Sequence, residues 1–174
     1  MPVHIGGMTT GLPPAWVRAF EREQAGQVTP LADPAPERQI ARLLGAFIGV
    51  GLFFLVFPGT LIGVWNLLRI SASRSAGEAS ASWVQAHGHG QLFGWVATFM
   101  IGISLYAVPK FRGGAVRSLA VGWLMWALWT AGTLARWASG LWQWHWQVLL
   151  PVSAVAELLV ALLLLWQVTA SGKS

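Results

Sequence analysis

The sequence predicts an all-α integral membrane protein, a four-helix bundle that follows a polar N-terminal tail. Of its 174 residues, 55% are hydrophobic and only 10% are charged, whereas soluble domains usually carry about a quarter charged residues. Four apolar runs each reach the roughly 20 residues that a membrane-spanning helix needs. Lysines and arginines stand singly at the ends of these runs, so the net charge of +5 does not indicate a nucleic-acid ligand.

The N-terminal tail is expected over residues 1–40, on the cytoplasmic side, and to be mostly disordered because it is polar and rich in proline. Within it, residues 14–24 (PAWVRAFEREQ) predict a short amphipathic helix that begins with proline and carries Trp16 and Phe20 on one side. The first apolar run starts only after this tail, so no cleavable signal peptide is expected.

The transmembrane domain is expected over residues 41–170. Its four predicted helices cover about 43–68, 84–108, 115–134 and 148–168. Pro58 and Gly59 lie inside the first run and predict a kink there.

Glycines recur at a four-residue spacing in two of these runs. Gly45 and Gly49 lie in the first, and Gly90 and Gly94 in the second. This spacing favours close packing between helices. A glycine on the second helix would also allow a flat macrocycle to approach the backbone.

Basic residues predict the orientation. Those flanking the termini and the middle loop are Arg38, Arg42, Lys110, Arg112, Arg117 and Lys173, and those on the other side are Arg69, Arg74 and Arg136. This bias places both termini in the cytoplasm, as for a bacterial inner-membrane protein. Tryptophans 83, 137, 142, 144 and 146 lie in or beside the two outer loops, at the interfacial depth that tryptophan prefers.

Three histidines fall near the predicted outer face. His87 and His89 lie at the outer end of the second helix, and His145 lies in the third loop. Imidazole at such a position serves as a heme ligand, a metal ligand or a polar tie between helices. Residues two apart on a regular helix point about 200° away from each other, so His87 and His89 are not expected to ligate one ion together.

Glu157 is the one acidic residue inside an apolar run. Such a group in a membrane is costly and is expected to be neutral, paired or functional. Two interpretations remain open: a proton-relay carboxylate, or a protonated acid bonded to a carbonyl or a neighbouring helix. No basic side chain is expected at matching depth, so no salt bridge within the chain is expected.

The second helix and the end of the first resemble a known family. The signatures are GVWNLLR at 63–69, WVQAHGHGQLFGW at 83–95 and YAVPK at 106–110. They are similar to the first two helices of subunit I of the heme–copper oxidase superfamily, which includes cytochrome c oxidases, nitric oxide reductases and the related NnrS-like proteins. The four runs together would match its first four helices only.

This resemblance implies heme b in a respiratory-type membrane protein. In the family, a histidine at the outer start of the second helix binds low-spin heme, and His87 fits that place best, with His89 the close competitor. The opposite ligand would be His145, the other histidine or a residue of a partner subunit. Nothing in the sequence supplies the family's copper-binding histidines, and with no cysteine there is no thiolate site or covalent c-type heme. The chain is therefore not a complete oxidase or reductase by itself.

Three functions follow as hypotheses. The first is electron transfer or nitric oxide handling by a heme-binding membrane protein. The second is an accessory subunit of a larger respiratory or photosynthetic complex, in contact with the lipid bilayer and other membrane subunits. The third is proton conduction through Glu157.

Overall fold

The structure is a computed structural model and describes residues 14–18, 20–21, 34–143 and 145–169. These residues form helices and turns with no strand among them, which confirms the predicted all-α class. The chain divides into two units, Met1–Ala35 and Pro36–Ser174. In the first, residues 15–18 and 20–21 are helical, as predicted for part of 14–24. The remainder of the tail predicted to be disordered lies outside the described residues, except that residues 34–40 are helical.

Four long helices make up the second unit, and the first of them begins two residues before it. Helix α1 is α-helical over Pro34–Phe54, π-helical over Leu55–Leu61 and α-helical again over Ile62–Ser73. Helix α2 repeats this plan with Ala81–His89, a π-helical Gly90–Ala97 and Thr98–Phe111. Helices α3 and α4 cover Leu119–Trp142 and Trp146–Thr169. A single 3-10 turn, Ala76–Glu78, lies between α1 and α2.

Two helix boundaries differ from the predicted apolar runs. Helix α1 begins well before its run because backbone hydrogen bonding continues through polar residues outside the apolar segment. Helix α3 begins after Ser118, which is extended and accepts a hydrogen bond on its side chain from the Val121 N–H, as an N-cap does. It continues past Leu134 to Trp142 and ends at Gln143, which adopts a left-handed φ of 53°.

The helices alternate in direction along the bundle. At one end, Lys110 of α2 donates to Glu37 of α1 at 3.2 Å. At that same end of α2, Arg112 donates to the Val168 carbonyl near the end of α4. At the opposite end, one cavity joins the first turns of α2 and α4 to the last turns of α3. The described basic residues that were predicted to share one side therefore lie at one end, and the turns that follow α1 and α3 lie at the other. Lys173 lies outside the described residues.

Three helices are long and apolar enough to cross a membrane: Glu37–Ser73, Ala81–Phe111 and Trp146–Thr169. Helix α3 also has 24 residues. It falls outside this set because every 18-residue stretch of it contains Arg136, which together with its tryptophan, threonine and glycine residues lowers the mean hydropathy. Four helices are thus present as predicted, and three of them have the length and composition of membrane spans.

Helices α1 and α2 are packed closely through glycines. A Cβ atom at Gly90 would lie 2.9 Å from Pro58 Cβ, and one at Gly94 would lie 2.6 Å from Phe54 Cγ. The packing role predicted for this pair is confirmed. A Cβ at Gly45 or Gly49 would meet nothing within 4 Å. For these two, close contact with another helix of this chain was a wrong expectation.

The main buried apolar cluster and the polar cavity beside His89 lie in different halves of the bundle. The buried apolar cluster draws on all four helices, in the half nearer Lys110: Leu43, Phe47, Ile101, Leu105, Met125, Trp129 and Val160. The opposite half contains the histidines of α2 and the polar cavity. Both histidines of α2 therefore lie in the half that holds this polar cavity.

Candidate functional site

Two π-helical segments face each other at the centre of the site. Pro58 has no N–H and cannot continue a regular helix, and the segment around it is π-helical at the place where we predicted a kink. Thr60 donates to the Leu55 carbonyl at 2.8 Å and Thr98 to the Phe93 carbonyl at 3.0 Å, each across five residues. Such π-helical segments occur often at functional sites.

His87 is oriented by a backbone carbonyl of α1. Its Nδ1 lies 2.8 Å from Gly59 O. A carbonyl oxygen only accepts, so Nδ1 carries the hydrogen and the neutral ring keeps its lone pair on Nε2. The ring lies against Gly63, where an added Cβ would come within 2.7 Å of His87 Cε1. Metal-binding histidines commonly have this arrangement, one ring nitrogen donating to a carbonyl and the other left for the metal.

His89 points to a different helix and pairs with Glu157. Its Nε2 lies 2.9 Å from Glu157 Oε1, and the two side chains are only 9% and 15% exposed. Our expectation that no basic side chain lies at the depth of Glu157 was therefore wrong. His89 lies at the same depth as Glu157, although we assigned it to the outer end of its helix. A carboxyl group in an apolar interior is stabilised by such a hydrogen bond.

Aromatic contacts extend from His89 into the core. Its ring stacks on Phe93, with centroids 4.5 Å apart, and Phe93 stacks on Trp129 at 6.2 Å. The Trp129 indole donates to Thr98 Oγ1 at 2.8 Å, and Thr98 is fully buried. His89 is thus fixed on two sides, by a carboxylate and by an aromatic ring.

The two histidines of α2 face opposite neighbours. His87 contacts α1 through Gly59, and His89 contacts α4 through Glu157. This agrees with the predicted angular separation and means that these two rings do not converge on one position. Their cofactor-binding roles, and the relay role of Glu157, stay predictions.

His145 lies in the turn between α3 and α4. Its backbone has a left-handed φ of 43°, its carbonyl accepts from the N–H groups of Val148 and Leu149, and its side chain is exposed. The turn lies at the same end of the bundle as the start of α2. The ligand role assigned to His145 stays a prediction. Within the described part of the chain, no group of three histidine or acidic side chains is placed to hold a metal ion.

A polar cavity of about 180 Å³ opens beside His89. Five polar side chains line it together with His89, from α2, α3 and the turn that follows: Ser82, Gln85, Arg136, Ser139 and Gln143. Trp146 and Leu150 of α4 close another side. The cavity gives His89 a polar surface on the side of the predicted outer face.

Helix α3 carries buried polar atoms that lack hydrogen-bond partners among the described residues: Trp126 Nε1, Thr130 Oγ1, Thr133 Oγ1 and Trp137 Nε1. Their spacing places them along one stripe of the helix. A threonine hydroxyl in a helix can turn to the carbonyl four residues earlier, but an indole N–H has no such local acceptor. The two tryptophans are therefore the unexplained members of the stripe.

Sequence reasoning missed several members of this site. Phe93 follows His89 by four residues, a spacing that places two side chains on one helix face. The contact between them could therefore have been predicted from the sequence. Arg136 was counted only for orientation, although it stands within a helix among apolar residues. The Gly59 carbonyl gave no sequence signal, because any residue offers the same backbone atom.

Comparison with known proteins gives no relative. No protein-family model, no curated protein and no solved structure matches this chain significantly.

Proposed function

We propose that this chain is a heme-binding membrane protein of a bacterial inner membrane, with heme b ligated by His87. The carrying observation is the 2.8 Å contact between His87 Nδ1 and Gly59 O. It fixes the tautomer and holds the ring, so Nε2 is the nitrogen left for iron. The resemblance of 63–110 to the oxidase superfamily is a second, separate support and points to electron transfer or nitric oxide handling.

The same reasoning separates His87 from its competitor. His89 Nε2 is engaged by Glu157, and its ring is stacked on Phe93. Its remaining nitrogen, Nδ1, is adjacent to the Cβ attachment, where a macrocycle would collide with the histidine's own helix. His89 therefore suits a structural or proton-holding role better than iron ligation.

His87 would supply one ligand to the heme iron, and a second ligand would need a further donor. His87 and His89 contact different helices and do not form a pair of ligands. The second ligand is then His145 or a residue of a partner subunit. When bound, heme supplies one-electron transfer at its iron. The chain's own part is to hold the His87 ring, to exclude water by its apolar half and to place the site at one end of the bundle.

The proposed orientation puts both termini in the cytoplasm. Arg38, Arg42, Lys110, Arg112 and Arg117 flank the same end of the bundle, which is the arrangement of a cytoplasmic face. The His87 site is then nearer the outer face, where a periplasmic redox partner would reach it.

Absorption spectra test the heme proposal. The full chain, purified in detergent and loaded with heme, is expected to show a sharp α-band of heme b after dithionite reduction. His87→Ala should abolish the band, and His87→Gly with added imidazole should restore part of it, because free imidazole can occupy the vacated place. His145→Ala asks whether the second ligand lies in this chain.

His89→Gln is the matched control, since glutamine keeps a donor for Glu157 and should leave the band in place. Loss of the band in His89→Gln with retention in His87→Ala would assign the ligand to His89 and refute our choice. A featureless spectrum in a heme-loaded, helical preparation would refute heme binding altogether and leave the accessory-subunit role.

A further inference from the structure

Arg136 is a half-buried cation without a carboxylate partner. It lines the polar cavity beside His89. The ion pairs formed within residues 34–143 and 145–169 are Arg69–Glu78, His89–Glu157 and Lys110–Glu37, and Arg136 is in none of them. A guanidinium stays charged at all relevant pH values. In a half-buried position the charge loses part of its hydration, so a counter-ion or a cluster of polar groups is needed to stabilise it.

Other arginines of the bundle differ in this respect. Arg112 donates to the Val168 carbonyl, and the Arg117 guanidinium lies 4.6 Å from the Trp166 ring centroid. Arg74, which also lacks an ion-pair partner in the described chain, is exposed in the turn after α1, where water solvates it. Arg136 alone among these four combines partial burial, a cavity and no protein acceptor for its five N–H donors.

The rest of the cavity wall supplies amide and hydroxyl groups, and none of the lining residues carries a carboxylate. The Gln85 amide lines the cavity and has no hydrogen-bond partner within the described part of the chain. Gln143 uses one of its two amide hydrogens on the Gly140 carbonyl, which leaves the other. Glu157, the acid that pairs with His89, is not a lining residue, and its Oε1 is taken by His89. The cavity therefore has an uncompensated positive charge and free amide N–H groups beside it.

We propose that this cavity binds a small oxyanion, with the Arg136 guanidinium as its main contact and the Gln85 amide as a second donor. Arginine presents its N–H groups as a planar fork that suits carboxylate and other oxyanions. The volume of about 180 Å³ equals roughly six waters at their liquid share, which admits a small anion and excludes a drug-sized ligand. The anion is either free in solution or the carboxylate of a heme side chain.

Titration of the purified full chain with acetate and with phosphate tests this inference. Each anion is added at constant ionic strength, with chloride as the balancing ion. Binding is measured by calorimetry and by tryptophan fluorescence, since Trp146 lines the cavity. Saturable binding of at least one oxyanion is expected. Arg136→Gln should weaken it by at least about tenfold, the effect of one lost charge-assisted contact. Arg136→Lys should weaken it less because the charge remains.

Arg74→Gln is the matched control, since it removes one positive charge from the same end of the bundle without touching the cavity. Equal binding in wild type, Arg136→Gln and Arg74→Gln, with helix content unchanged by circular dichroism, would overturn the proposal. A second outcome would also overturn it: neither heme-free nor heme-loaded protein binds an oxyanion saturably, and Arg136→Gln retains heme as well as the wild type does.

The two sources of the oxyanion are separated by heme loading. Free-anion binding that persists in heme-loaded protein supports a solution ligand. Binding that is seen only without heme, together with faster heme loss in Arg136→Gln, supports a heme carboxylate as the occupant. The cavity proposal itself does not rest on heme, because the first titration is made with heme-free protein.

Discussion

Gly63→Ala is expected to displace His87 without altering the histidine itself. A Cβ at position 63 would lie 2.7 Å from His87 Cε1 and 3.1 Å from its Nδ1. The first distance is about 0.7 Å short of an ordinary contact, so the ring must move. Since Nδ1 is held at 2.8 Å by Gly59 O, a movement of that size breaks the hydrogen bond.

The expected loss can be worked from these contacts. Overpacking in a filled interior costs about 1–3 kcal/mol, and an unsatisfied buried donor about 1–3 kcal/mol more. Alanine offsets this by up to about 1 kcal/mol, the helix preference over glycine. The net decrease in the free energy of unfolding is then about 1–5 kcal/mol.

Gly88→Ala is the control for this change. Gly88 is adjacent to His87 on the same helix, and its added Cβ would meet nothing within 4 Å. It should leave the protein equal or about 0.5–1 kcal/mol more stable. The assay is unfolding by SDS in mixed micelles, followed by helical circular dichroism, with heme retention measured on the same samples. If Gly63→Ala proves as stable as Gly88→Ala and retains heme equally, the reasoning about the His87 ring is refuted.

Two further predictions concern buried hydrogen bonds. Glu157→Leu should destabilise the bundle by about 1–3 kcal/mol because His89 is left unpaired. Adding His89→Phe should recover part of this loss. If the losses of the two single variants simply add in the double variant, the pair is not coupled. Thr98→Val should lower stability by about 1–3 kcal/mol, since it removes the acceptor of the Trp129 indole. Thr133→Val, at an equally buried hydroxyl without a partner, should be neutral or stabilising in the same unfolding assay, and equal losses at both threonines would contradict this account.

Much of the fold could be predicted because membrane-spanning segments must satisfy their backbone groups internally, which requires a helix wherever the chain is apolar for about 20 residues. The second and fourth runs lie within a few residues of the observed helices. The boundaries of α1 and α3 were less accurate, because hydropathy marks where lipid begins, whereas caps such as Ser118 mark where a helix begins.

The site could be predicted in its residue types more than in its contacts. His87, His89 and Glu157 were recognised because polar groups are rare in these runs and costly there. Their partners could not be recognised. Helical periodicity showed that His87 and His89 point apart, but not that one reaches Gly59 and the other Glu157. Those pairings depend on the relative rotation of α1, α2 and α4.

The sequence by itself determined the helical class, the alternation of direction and the identity of the polar residues, because these depend on composition and on the period of one helix. Only the tertiary structure decided that Gly90 and Gly94 pack against α1 while Gly45 and Gly49 face outward, and that Arg136 shares a cavity with His89. The physical reason is that packing between helices depends on the complementary shape of both surfaces. The sequence of one helix does not specify the surface of the helix that packs against it.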